Sequence, residues 1–498
     1  MSDDVGTSPD GYAGKATSGF FWTTAQKWVG RIAGLVTIVI LTRLLSPEDF
    51  GLVAIALSVV PFIYLLADLG FSTYLIQAEN PKARSFSTAF WYSTVAGLLL
   101  AVGFVALGPL LELIIDAPGI AGVMTGFAPA VVFVALGSVP MAILRRRMRF
   151  KLLAIQAFAG GIFGQAVAVV LALSGAGVWA LVAQTVATQF ISVVLVWAYA
   201  KWHPSWMFDW QEFRAMVRFG VNVVSVEVVA LTRLWAENAI IAATLGLTGL
   251  GYLSIAQRLI QVAQDLTASA ITPVSTVVFA QIRADRSRLA GGYLRAQAVI
   301  YAIIVPVMIF VSVGAPDIIP ILFGDGWEPS IAPAQALAIA GVLTVGAALD
   351  LGLFYALGRP GLWLVYSIVI DAITVLTTLL LVRQGLFAVT IGFVGVALVA
   401  TIARCPLVAL QVGVRPIRLF VQFGRALALA ALTGAAGVLV AVLSDALPEV
   451  ASLVLVGSAI SLTWLALVAF VMPEAAADLK VRLMAVRSRI GHRRRDSV

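Results

Sequence analysis

The chain has 498 residues, of which 61% are hydrophobic and only 12% charged, and its mean hydropathy is +1.01. That balance lies far outside the soluble globular range, and no polar stretch is large enough to fold as a separate soluble domain, so one integral membrane unit is expected. The net charge of +8 points to topology and not to nucleic acid, because the cations gather in alternate loops and in the C-terminal stretch KVRLMAVRSRIGHRRRD.

The opening residues, MSDDVGTSPDGYAGKATSG, carry two acids and lack a short apolar core followed by a small-residue cleavage site. They read as a cytoplasmic tail, 1–17, and not as a signal peptide. Beyond them, windows of about 20 apolar residues can be placed about fourteen times. They begin near Ser18, Phe50, Phe86, Ile120, Leu152, Val178, Phe213, Gly249, Leu289, Ile331, Gly361, Leu386, Leu419 and Val450. The fold class is therefore an all-α, polytopic membrane protein. The loops PKARS, RRRMRFK, KWHPSWMFDWQEFR, RADRSR, LGRPG and GVRPIR hold almost all the Lys and Arg between spans. The opposite set, including ELIIDAPG, LSGAG, LGLTG and SDALPEV, is nearly free of them, with Arg43 and Arg383 as exceptions. The positive-inside rule then puts the basic loops and both termini in the cytoplasm.

Span one contains FWTTAQKWVGRIAGLVTIVI, in which Lys27 and Arg31 are four residues apart and share a helical face. At about 1.5 Å per residue they lie roughly 13 and 20 Å into a hydrocarbon core of about 30 Å. Facing lipid there would cost several kcal/mol, so they are expected to face the bundle interior. Two readings stand: a buried ion pair with an acid such as Asp68, Glu227 or Asp265, or an anion site in which Arg supplies a planar fork and Lys a compact charge.

Span two starts at Ser46-Pro47-Glu48-Asp49, with a capping serine, proline at the first helical position and an acid three residues after the cap. The segment LLSPEDFGLVAIA, 44–56, aligns without gaps on TLGLTGLGYLSIA, 244–256, with Gly51 on Gly251 and Ile55-Ala56 on Ile255-Ala256. Such a repeat makes spans one to six and seven to twelve two related bundles, 18–200 and 213–412, joined by a cytoplasmic linker, 201–212. Two added helices, 413–473, and a basic tail, 474–498, follow. In a parallel repeat of this kind the substrate path runs between bundles, near the bilayer midplane.

Span seven is the most polar, with Asn222, Glu227, Arg233, Glu237 and Asn238. Arg233 and Glu237 form an i, i+4 pair, whereas Glu227 has no base at i±3 or i±4 and is the better candidate for a protonatable or ion-coupling acid. In span eight, Gln257, Arg258, Gln261, Gln264 and Asp265 make a polar side suited either to sugar hydroxyls or to helix packing through amides. Asp350 in span ten and Asp371 in span eleven are further lone intramembrane acids. Pro61, Pro273 and Pro306 are candidate bending points.

LTRLLSPEDFGLVAIA followed by DLGFSTYLIQ resembles the first helical hairpin of the oligosaccharide flippases, or polysaccharide transporters, of the multidrug, oligosaccharidyl-lipid and polysaccharide exporter superfamily. ALGSVPMAILRRRMRFKLLAI is similar to that family's connection between spans four and five, and ENAIIAATLGLTGLGYLSIAQRL to that between seven and eight. The resemblance implies two six-helix bundles around a central cavity, here with two C-terminal helices added. It also implies flipping of a polyprenyl-pyrophosphate-linked oligosaccharide across a bacterial inner membrane. The chain departs from the family's pattern in span seven, where Glu237 followed by Ala242-Ala243 stands in place of an aspartate followed by Gly-Arg.

Under that reading the candidate substrate-binding residues are Lys27, Arg31, Arg233, Gln257, Arg258 and Gln261. The candidate ion-coupling or cavity acids are Asp68, Glu227, Glu237, Asp265, Asp350 and Asp371. Expected partners are the lipid-linked oligosaccharide, membrane lipids, Na+ or H+ as coupling ion, and a polysaccharide polymerase with its export machinery. No cofactor is expected: Cys405 has no cysteine partner, His203 and His492 lie outside the spans, and there is no GxxxxGK[ST] loop for ATP. A membrane glycosyltransferase or polymerase would need a larger outer loop or an acid and base cluster, so a transporter and not an enzyme is the expectation. A multidrug exporter and a peptidoglycan-precursor flippase are the nearest alternatives.

Overall fold

The computed structural model describes residues 30–78, 81–267 and 271–471. Every long element among them is helical. The first unit, Met1–Gly251, holds α1 (30–44), α2 (Pro47–Asp68), α3 (Phe71–Gln77), α4 (Ala83–Ile115), α5 (Ile120–Arg146), α6 (Phe150–Leu173), α7 (Trp179–Ala200) and most of α8 (Trp210–Thr267). The second, Tyr252–Val498, holds the end of α8, then α9 (Ile271–Ile282), α10 (Arg286–Phe323), α11 (Ile331–Thr344), α12 (Ala347–Ala356), α13 (Pro360–Leu381), α14 (Leu386–Val412), α15 (Pro416–Leu443) and α16 (Glu449–Val471). Twelve helices among the described residues are long and apolar enough to cross a membrane. One of them lies in α8, which turns at Gly246 (φ 73°, ψ 177°), a backbone state that suits glycine, and is therefore two arms. With α1 in addition, an all-helical polytopic protein of about fourteen helices describes the chain.

Local chemistry sets the helix ends. At α2 the Ser46 side chain accepts from Asp49 N at 3.2 Å while the Ser46 N–H donates to Asp49 Oδ2 at 2.9 Å, so two otherwise orphaned donors are satisfied reciprocally. Glu112, near the end of α4, accepts from the backbone N–H groups of Gly119 and Ala121, both at 3.2 Å, and so fixes the turn into α5. In the first unit α5 packs on α4, α7 and α2, and in the second α10 is the shared neighbour of α11, α15 and α16. Between α4 and α5 small residues meet, Gly97 on Ala135 and Gly108 on Ala121, which lets these backbones approach where lipid provides no hydrophobic drive for helix association.

The two aligned segments meet within the first unit. A side chain at Gly51 would collide with the Leu247 carbonyl, and one at Gly251 with the Pro47 carbonyl. Each glycine thus faces the residue four positions before its aligned counterpart, which is the pattern of a two-fold related crossing.

Candidate functional site

A cavity of about 340 Å³ lies in the first unit between α2, α3, α5 and α7. Its polar wall comes from Tyr64 and Asp68 on α2, Ser72 on α3, Ser138 on α5 and Gln189 on α7, and Phe133 and Met141 supply apolar surface. Leu69 and Gly70 both adopt left-handed backbone (φ 45° and 72°), so the chain turns sharply after Asp68 and brings Ser72 back over it. The Ser72 hydroxyl donates to Asp68 Oδ1 at 2.5 Å and its N–H to the same oxygen at 3.3 Å. Tyr64 and Gln189 interact across the cavity. Arg145 stands at the rim, exposed, and donates to Met141 Sδ at 3.4 Å. Among the described residues Asp68 makes no ion pair.

The second unit treats an acid differently. Span ten is broken between α11 and α12, and α14 closes the break: the Thr401 hydroxyl donates to the Leu343 carbonyl at 2.8 Å, satisfying a carbonyl at the end of α11. One turn on, Arg404 Nη1 pairs with Asp350 Oδ2 at 2.6 Å, and the Tyr293 hydroxyl donates to Asp350 Oδ1. The side chains of Arg404 and Asp350 are 3% and 0% exposed. Gly346 makes room for the guanidinium, since any side chain there would overlap it. Arg404 and Tyr293 were absent from the sequence-derived candidates. An arginine within a 27-residue apolar helix was the available signal, because such a charge requires a partner.

On α8, Arg233 Nη1 meets Glu237 Oε1 at 2.7 Å, with Glu237 and Asn238 buried. Arg31 is half-buried on α1, and Asp371 is half-buried on α13. Along the second arm of α8, Gln257 is half-buried while Arg258 and Gln261 are exposed. Lys27, the side chains of Glu227 and Asp265, the tail 1–17 and the basic tail 474–498 lie outside the described residues. Among the described residues no three His, Cys, Asp or Glu side chains converge as metal ligands would.

Two cations of the RRRMRFK joint act on helix ends. Arg146 Nη1 donates to the carbonyls of Leu75, Ile76 and Ala78 at 2.9, 3.2 and 2.6 Å, capping α3, and Arg147 Nη1 donates to the Ala200 carbonyl at the end of α7 at 2.9 Å. The loop after α7 is similarly anchored on the start of α4. The Trp91 indole donates to the Ser205 carbonyl, Ser87 bonds Ser205, and the Asp209 N–H donates to the Thr88 hydroxyl, at 2.9, 2.8 and 2.9 Å.

The succinoglycan biosynthesis transport protein ExoT of Rhizobium meliloti is 28% identical over 310 residues, 62% of this chain and 63% of that protein. The match therefore spans just under two thirds of that relative's length. The lipopolysaccharide biosynthesis protein WzxC of Escherichia coli is 22% identical over 335 residues, 66% of this chain and 67% of the relative. Among solved structures, the lipid II flippase MurJ in its inward closed conformation superposes with a TM-score of 0.73 at 14% identity, covering 91% of this chain and 99% of that one. An inward-facing multidrug resistance transporter of the MATE family gives 0.64 at 18% identity, covering 77% and 94%. At such identities the structural likeness establishes a shared fold. Residues 40–332, more than half of the chain, match the family described as polysaccharide biosynthesis protein, and the chain belongs to that family.

Proposed function

We propose that this protein is a flippase that moves a polyprenyl-pyrophosphate-linked oligosaccharide from the cytoplasmic to the outer leaflet of a bacterial inner membrane, for polysaccharide export. The observation that carries the reading is a polysaccharide biosynthesis family match on a chain whose fold follows that of a lipid flippase along 91% of its own length and 99% of the flippase's. The relatives named for succinoglycan transport and lipopolysaccharide biosynthesis support the same substrate class.

In this reading the protein is a transporter and not an enzyme, working by alternating access of two bundles with both termini cytoplasmic. Lys27 and Arg31 take the pyrophosphate, because planar forked donors and a compact ammonium are the side chains that match phosphate oxygens. Arg233 is less available for that role, since its guanidinium is bonded to Glu237. Gln257, Arg258 and Gln261 offer donors and acceptors to the glycan. Glu227 is the acid assigned to a coupling Na+ or H+, and a polymerase with its export machinery draws off the flipped product.

Depletion of the protein in its native cell, followed by mass spectrometry of lipid extracts with leaflet-specific enzymatic labelling, tests the proposal. Accumulation of a polyprenyl-pyrophosphate oligosaccharide confined to the cytoplasmic leaflet is expected. Unchanged lipid pools with altered drug sensitivity would replace the reading with drug export. Replacing Lys27 and Arg31 by Gln is expected to abolish transport in a protein that remains folded, and intact transport would remove the anion role from both.

A further inference from the structure

The cavity around Asp68 is roomier than a bare ion needs and sets a carboxylate where a pyrophosphate would sit. A dehydrated cation is gripped by six to eight oxygens at about 2.3–2.6 Å in the case of Ca²⁺, and by a comparably tight shell in others. A space of about 340 Å³ instead falls at the small end of organic-ligand pockets, roughly 300–1,000 Å³. An anionic group entering it would meet the Asp68 carboxylate, and an organic cation would pass the Arg145 guanidinium at the rim. The remaining polar side chains, on Tyr64, Ser72, Thr73, Ser138, Gln189 and Ser192, are neutral donors and acceptors, and Phe133 offers an apolar ring.

We propose that this cavity is a subsite for one neutral sugar ring of the carried glycan, an inference that rests on the flippase reading above and is separate from the pyrophosphate role given there to Lys27 and Arg31. The Ser72 hydroxyl and N–H both bond Asp68 Oδ1 and the Gly70 N–H also bonds the carboxylate, three of the roughly four acceptor positions that a carboxylate has, so capacity remains to accept from a sugar hydroxyl in the cavity. Charge-assisted acceptance of this kind is about twice as strong as a neutral hydrogen bond. The Gln189 amide has two donors and an acceptor, more than its interaction with Tyr64 consumes, and can bond a neighbouring hydroxyl and its acceptor oxygen. Phe133 packs on the C–H face that a pyranose presents between its hydroxyls. A site built this way rejects a lipid that lacks the sugar, because its polar groups are then left to water alone.

The test is the affinity of the full-length protein in nanodiscs for two probes: lipid-linked oligosaccharide extracted from the cell that makes the protein, and polyprenyl pyrophosphate without sugar. The wild type is expected to prefer the sugar-bearing probe by about tenfold or more, as two or three net hydrogen bonds would give. Asp68→Asn and Gln189→Ala are each expected to cut that ratio to about threefold or less. Gly137→Ala provides a steric variant, because its new Cβ would sit 3.6 Å from Val193, an ordinary contact, while narrowing the cavity wall. It too should lower the ratio, and it keeps the test decisive should Asp68→Asn fail to fold. A ratio near one in the wild type, or a ratio unmoved in the folded variants, overturns the subsite and leaves the flippase reading standing. A wild type that binds neither probe overturns both.

Discussion

Asp350 in the second unit and Asp68 in the first are both carboxylates within membrane-length apolar spans, and their surroundings differ. Asp350 is wholly enclosed, with Arg404 on one oxygen and Tyr293 on the other. Asp68 accepts from Ser72 and from the Gly70 N–H, lines a cavity and forms no salt bridge among the described residues. The first acid is satisfied by the fold itself, with a helix break that α14 holds shut through Thr401 and Arg404. The second is satisfied in part by the fold and in part by whatever fills the cavity. A charge inside a membrane protein is thus a site only where its remaining hydrogen-bonding capacity faces space that another molecule can occupy.

The sharpest way to break this contrast is to remove one partner of the enclosed pair. Asp350→Leu or Arg404→Met alone leaves an uncompensated buried charge and should cost about 3–5 kcal/mol, read as a large fall in Tm in detergent. The double variant should be less damaging than either single change, since both desolvation penalties go with the charges. Equal damage in single and double variants would show that packing around Gly346, and not the ion pair, maintains the break. Next in size is Arg233→Met on α8. Glu237 is buried while Arg233 is one-third exposed, so solvent screening moderates the loss and about 1–2 kcal/mol is expected.

Asp68→Asn stands at the opposite pole. Its carboxylate already contacts the cavity, and the amide oxygen can still accept from Ser72, so Tm should change by less than about 1 kcal/mol equivalent while glycan preference falls. A fall in Tm as large as that of Asp350→Leu would erase the distinction between the two acids.

The amino-acid pattern carried the broad architecture because lipid constrains it so strongly: apolar length, alternate basic loops and the capping box at Ser46 each report a local physical requirement. The reciprocal approach of Gly51 to Leu247 and of Gly251 to Pro47 gives the two aligned glycines a shared steric reason. What stayed hidden depends on distant partners. Asp350 was visible as a lone acid, but Arg404 lies 54 residues away and joins it only once α12 and α14 pack. Arg146 and Arg147 looked like topology signals, whereas the carbonyls they cap, at Leu75 to Ala78 and at Ala200, become neighbours only in the folded bundle. The cavity itself needs α2, α3, α5 and α7 together, and no spacing along one helix encodes it.

A third acid, in water, completes the series with the smallest effect. Asp209 lies just before α8, where its Oδ1 accepts from the N–H groups of Gln211 and Glu212 at 2.9 and 3.3 Å and its Oδ2 meets Arg84 Nη1 at 3.1 Å. Its carboxyl is held below the ordinary carboxylate value, chiefly by the Glu212 N–H, with Gln211 and Arg84 adding to the effect and partial desolvation opposing it. A depressed folded pKa means that the carboxylate's contribution is complete above the unfolded value of about 3.9 and is lost as pH falls through the folded one. Asp209→Asn retains an acceptor for the helix start but carries no charge, so its Tm should lie slightly below wild type at pH 7 and converge on it below about pH 4. Salt should shrink the neutral-pH difference, because the Arg84 pair is exposed. A difference that persists unchanged from pH 7 to pH 3 would mean that cap geometry and not charge is what Asp209 contributes.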